Sequence, residues 1–105
     1  MTRVMVELQD RFWSISAAGH ATGSEEVCAA ISGLIYALAG YLENAVQDGV
    51  ARWTDCRLEP GEAILSVSAE EMEESITAVF HMAAIGLLQI EKAHPKYIHV
   101  AVDMK

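Results

Sequence analysis

The sequence predicts a two-layer α+β domain of order ββαββαβ, with a mostly antiparallel or mixed sheet carrying two helices. Three observations predict it. Short segments rich in β-branched and aromatic residues are joined by tight turn signals, and two longer segments repeat apolar residues at helical spacing. The 105 residues, 52% of them hydrophobic, hold material for one core, and a single domain over 1–105 is expected.

The first two strands are Arg3–Leu8 and Phe12–Ser16, separated by Gln9-Asp10 as a hairpin turn. Between Ser24 and Asp48, the residues Val27, Ile31, Leu34, Ile35, Leu38, Leu42, Ala45 and Val46 recur at three- and four-residue steps. That is the period of a helix packed on a sheet. Ser24 is placed to cap it, Glu25 and Glu26 complement the dipole of its first turn, and Gly49 ends it. Val50–Glu59 and Ala63–Ser68 form a second hairpin around Pro60-Gly61. A second helix is expected from Ser68 or Ala69 to about Lys92, with a stripe through Met72, Ile76, Val79, Phe80, Ala83 and Leu87. His94-Pro95 breaks it, and Tyr97–Val102 is the last strand. Whether the helices share one face of the sheet is left open by the pattern.

A formal net charge of −8 argues against phosphate-driven nucleic-acid binding and favours basic partners. The uncharged run Val27–Leu42 is shorter than the roughly 20 residues a membrane crossing needs, so a buried helix is expected. Met1–Asp10 lacks the pattern of a signal peptide, and the two cysteines lack disulfide or metal spacing. The expected compartment is the cytoplasm.

The residues that carry chemistry lie in Gly19-His-Ala-Thr-Gly-Ser-Glu-Glu-Val-Cys28. A thiol is a weak nucleophile until a base takes its proton or its surroundings favour the thiolate. Here His20 leaves a strand as Cys28 enters a helix, so a base and a thiol approach across a short turn. Amides at the helix start are also placed to face an oxyanion. Glu25 is a candidate to orient His20, although carboxylates beside Cys28 oppose a thiolate. From spacing alone, a buried structural cysteine and a turn histidine explain the same residues.

Gly19-His20-Ala21, followed by Gly23 through Leu34 with its Val-Cys-Ala-Ala core, resembles the signature of the bacterial ribosomal-processing cysteine proteases. The resemblance implies a homodimeric cytoplasmic endopeptidase that removes the N-terminal extension of a large-subunit ribosomal protein, the twenty-seventh in the standard naming. It makes Cys28 the nucleophile and His20 its base, and it matches Ser32 to the family's serine one helical turn on. The connection between His20 and Cys28 is shorter than the family's usual loop, and Glu25 stands where the family favours aspartate.

Other residues read as structural. Cys56 is expected in the core, as are Met72 and Phe80; Trp13, Trp53 and Tyr36 pack in cores more often than they line grooves. Gly33 and Gly40 are read as close-packing positions. His81, His94 and His99 lack ligand spacing, and no cofactor or nucleotide motif is present, so neither metal nor cofactor is expected. Two readings compete with a protease: a noncatalytic dimeric module that binds a peptide or small ligand, and a family member that keeps its ribosomal-protein contact without cleavage.

Overall fold

The structure, a computed structural model, describes residues 1–19 and 24–104. Seven elements follow the predicted order: β1 (Thr2–Leu8), β2 (Phe12–Ala18), α1 (Glu25–Gln47), β3 (Arg52–Glu59), β4 (Glu62–Ser68), α2 (Glu74–Ala93) and β5 (Ile98–Met104). They form one five-stranded mixed sheet in the order β3-β4-β2-β1-β5, in which only the β1–β5 pair is parallel. The helices pack on each other and on one face of that sheet, which settles the face left open by the sequence pattern.

Strand alternation supplies that face. Val4, Val6 and Leu8 of β1 and Trp13, Ile15 and Ala17 of β2 are buried, while their neighbours Arg3 and Met5 face solvent. Cross-strand pairing arranges the inward residues in rows. Leu8, Trp13, Val67 and Trp53 make one; Val6, Ile15, Leu65 and Cys56 the next; Val4, Ala17, Ala63 and Leu58 the last. The side chains in the middle strands shrink from row to row.

The helices seat their predicted stripes on these rows: Val27, Ile31, Ile35, Leu38 and Leu42 from α1, and Ile76, Phe80, Ala83 and Leu87 from α2. Ser24 caps α1, its hydroxyl accepting from the Val27 amide at 3.2 Å. Its C-terminus closes with Gly49 at φ 77° and amide bonds from Gly49 to the Val46 carbonyl and from Val50 to the Ala45 carbonyl. Those two bonds define a Schellman stop, which needs the left-handed conformation glycine adopts freely.

Four expectations change. α2 begins at Glu74, because Ser68 pairs with Arg52 and Phe12 and the Ala69 amide bonds the Arg11 carbonyl, which holds both residues to the sheet. Met72 therefore lies ahead of the helix and is 58% exposed. Cys56 is exposed, since β3 is an edge strand reaching beyond the cover of the helices. Gly33 and Gly40 are exposed and an added Cβ at either would meet nothing within 4 Å, so neither serves close packing within the chain.

Both helices are also long and apolar enough, by length and composition, to cross a membrane. α1 outruns the charge-free segment Val27–Leu42 at both ends and fills the span from Ser24 to Asp48 that the apolar period predicts. Each helix lays its most apolar stripe on the sheet rather than presenting it all round.

Trp13 is fully buried, and its indole N–H donates to the Thr77 hydroxyl at 2.9 Å, tying β2 to α2. Replacing Thr77→Val keeps the shape and orphans that donor. A loss of about 1–3 kcal/mol is expected in urea unfolding, the usual cost of a buried polar group left unpaired.

Candidate active site

Cys28 sits at the end of the first turn of α1, partly exposed, where it lines a cavity of about 270 Å³. One wall is α1, through Ile31, Ser32, Ile35 and Tyr36; the other is the β3–β4 hairpin from Leu58 to Ala63. Ala17 lies on the floor, and Thr2 and Gly19 close the end nearest the strand termini. The cavity exists because the last inward row places alanines where the earlier rows place Ile15, Leu65, Trp13 and Val67. A helix seated on the large rows cannot fill the space above the small one.

The start of α1 is tightly organised. The Val27 amide bonds the Ser24 hydroxyl, and the Cys28 amide bonds the Ser24 carbonyl at 3.3 Å. Both donors bond within the turn. Glu25 and Glu26 remain as the first-turn residues whose amides have no acceptor within the helix.

The approach to the site is fixed by Gly19. Its amide donates to the Gly61 carbonyl at 2.8 Å and its carbonyl accepts from the buried Thr2 hydroxyl at 3.4 Å. Its φ is +93°, and a Cβ there would stand 2.5 Å from the Met1 carbonyl oxygen. Only glycine fits both the conformation and the space. The end of β2 is thus pinned to the β3–β4 turn and to the start of β1.

Of the residues singled out in the sequence, Cys28 and Ser32 meet in one cavity, Ser32 one helical turn beyond the thiol and exposed. Glu25 is exposed in the first turn and outside the cavity lining. His20 lies outside the described residues, as do Ala21, Thr22 and Gly23 of the shortened connection. His81, His94 and His99 do not join the site, and His99 instead approaches Glu91 at 3.5 Å. Among the described residues no group of three or more His, Cys, Asp or Glu side chains is placed to hold a metal.

The hairpin wall and Tyr36 were missed by sequence reasoning. Tyr36 is 64% exposed and falls off the Ile31, Ile35, Leu38, Leu42 stripe. That off-stripe aromatic was the available signal. The hairpin had none, because its contact with α1 depends on strand order.

A partly exposed thiol on a helix, opening on a largely apolar groove, is a placement that nucleophilic chemistry on a bound ligand can use. The sequence matches the family described as cysteine protease Prp over residues 1–99, and the chain belongs to that family. It is a cysteine protease by class. A comparison with curated proteins finds no significant match.

Solved structures share the fold. The S. aureus ribosomal processing protease Prp, in complex with a covalently linked product peptide, is 20% identical with a TM-score of 0.72, covering 100% of both chains. SMU.848 from Streptococcus mutans is 17% identical with a TM-score of 0.70, covering 100% of this chain and 96% of that one. The S. aureus protease with a substrate peptide is 16% identical with a TM-score of 0.69, covering 98% of this chain and 100% of that one.

Replacing Gly19→Ala forces a Cβ into a left-handed position against a carbonyl. Chemical denaturation is expected to show a loss of about 1–3 kcal/mol, the range for such backbone strain.

Proposed function

We propose that this chain is an endopeptidase in which Cys28 attacks the scissile carbonyl and His20 holds the thiol proton. The sulfur forms a bond to the carbonyl carbon, the carbon–nitrogen bond breaks, and the imidazolium returns its proton to the departing amine. Water then hydrolyses the thioester, with His20 as base. The observation that carries this reading is the placement of Cys28 in an open apolar groove, in a chain that belongs to a cysteine protease family.

The substrate we propose is the N-terminal extension of a large-subunit ribosomal protein, the twenty-seventh. Two things support it: the structural likeness to a protease described as ribosomal processing, and the −8 charge, which suits a basic partner. Ser32 is placed to contact the substrate beside the thiol, and Glu25 orients His20 from the first turn. The enzyme acts in the cytoplasm, where both thiols stay reduced.

We propose further that it works as a homodimer joined through its helical layer. Gly33, Ala37, Gly40 and Tyr41 of α1 and Met82, Ile85 and Leu88 of α2 are exposed and uncharged in a strongly acidic protein. An apolar face of that kind supports burial against a second copy.

Incubation with a peptide spanning the ribosomal-protein extension tests the chemistry. Cleavage by the native chain is expected, falling to background in Cys28→Ala and in His20→Ala; cleavage that survives Cys28→Ala sinks the mechanism. For the dimer, sedimentation equilibrium is expected to give twice the chain mass for the native protein and the single mass for Ile85→Glu. A native protein sedimenting as a monomer overturns the assembly.

A further inference from the structure

The free edge of β5 is held by one side chain. β5 bonds β1 through alternate residues: the Tyr97 carbonyl accepts from the Thr2 amide at 2.9 Å, and the parallel ladder continues that use through His99, Ala101 and Asp103. The same parity turns the amides of Ile98, Val100, Val102 and Met104 away from the sheet. From the last turn of α2 the Glu91 carboxylate reaches this edge, accepting from the outward Val100 amide at 2.7 Å and standing 3.5 Å from His99 Nδ1. It takes the place that the carbonyl of an added strand would occupy.

We infer that β5 is a self-docking edge that Glu91 keeps shut, and that the opened edge pairs antiparallel with β5 of a second copy in a register centred on Ala101. Length and parity select that register. Ile98–Met104 has seven residues with Ala101 at its middle, so this is the two-fold register that pairs every outward amide, Val100 with the partner's Val102 and Ile98 with the partner's Met104. Chemistry selects it as well. His99 falls opposite the partner's Asp103, and Asp103 opposite the partner's His99, so an imidazole meets a carboxylate twice on the face away from the helices. Ala101 meets its own copy at the two-fold axis, where opposed strands come closest and a small side chain fits.

Glu91 and the second copy compete for the same two groups. The partner's Val102 carbonyl replaces the Glu91 carboxylate on the Val100 amide, and the partner's Asp103 replaces it beside His99. Glu91 belongs to the same chain, so its high effective concentration keeps the edge closed in the native protein. The formal net charge of −8 on each copy works in the same direction. Without that carboxylate the Val100 amide joins a row of unpaired groups along a free strand, which is the template for pairing with another chain. The inference goes beyond proteolysis and does not depend on Cys28.

Sedimentation equilibrium in about 0.5 M NaCl, which screens the repulsion between copies, reads the latch. Every variant is built on Ile85→Glu, whose charge on the exposed helical layer keeps that layer apart, so mass gained reports β5. Glu91→Ala, a change that suits a helix, is expected at twice the mass of the Ile85→Glu parent. Glu91→Gln should stay at the parent mass, because its amide oxygen still accepts from Val100. Adding Val102→Pro to Glu91→Ala deletes one outward donor, leaves the bonds to β1 in place, and should restore the parent mass. The register is read by oxidising the Glu91→Ala chain that also carries Ala101→Cys. Opposed Cα atoms of a non-hydrogen-bonded pair lie about 4.5 Å apart, within disulfide reach, so peptide mapping should find position 101 linked to itself, and not so when Glu91 is intact. A Glu91→Ala protein at the parent mass overturns the inference. So does association that survives Val102→Pro, or association that leaves position 101 unlinked.

Discussion

The helix-facing surface of the sheet tapers from Trp13 and Val67 through Ile15 and Leu65 to Ala17 and Ala63, and the helices seat where the surface is largest. Interiors pack to nearly crystalline density, so a change of row size cannot be absorbed by loosening the contact. α1 and α2 fit the large rows through Ile35, Leu38, Leu42, Phe80 and Leu87, and the space left over gathers above the alanines. That is the end of α1 on which Ser24 begins the helix and Cys28 follows. Core packing and the groove are therefore two consequences of one gradient in side-chain size.

The two edges of the sheet are managed differently. At β5 the Glu91 carboxylate accepts from the Val100 amide at 2.7 Å, so a side chain from α2 closes part of that edge. At β3 the helices give little cover, the strand breaks register between Trp53 and Asp55, and Cys56 and Leu58 stay exposed. The irregularity between Trp53 and Asp55 limits pairing with another chain while keeping the edge accessible. The accessible edge is the one whose turn forms the outer wall of the groove, so shielding is weakest where a peptide must enter.

Much of this was legible in the sequence because it rests on local periodicity. The order ββαββαβ, the Ser24 cap, the Gly49 stop and the Pro60-Gly61 turn follow from residue types whose preferences are set within a few positions. What escaped depends on neighbours distant in sequence. Cys56 sits in a plausible strand, but its exposure follows from β3 lying at the edge of the order β3-β4-β2-β1-β5. Ser68 resembles a helix cap, yet its backbone pairs with Phe12 and Arg52. Likewise Cys28 was visible as a thiol near a helix start, whereas Leu58 and Ala63 became its neighbours only through strand pairing.

The contact that joins these levels is the bond from the Gly19 amide to the Gly61 carbonyl. It fastens the last turn of the β2 path to the hairpin that walls the groove, across the end at which the floor residues are smallest. Thr2 holds the Gly19 carbonyl from the other side, and Gly19 itself takes a positive φ. A single residue without a side chain thus ties the end of β2 to the mouth of the groove. Because residues with a side chain rarely adopt that conformation and the Met1 carbonyl occupies the space a Cβ would need, a substitution at Gly19 meets both constraints at once.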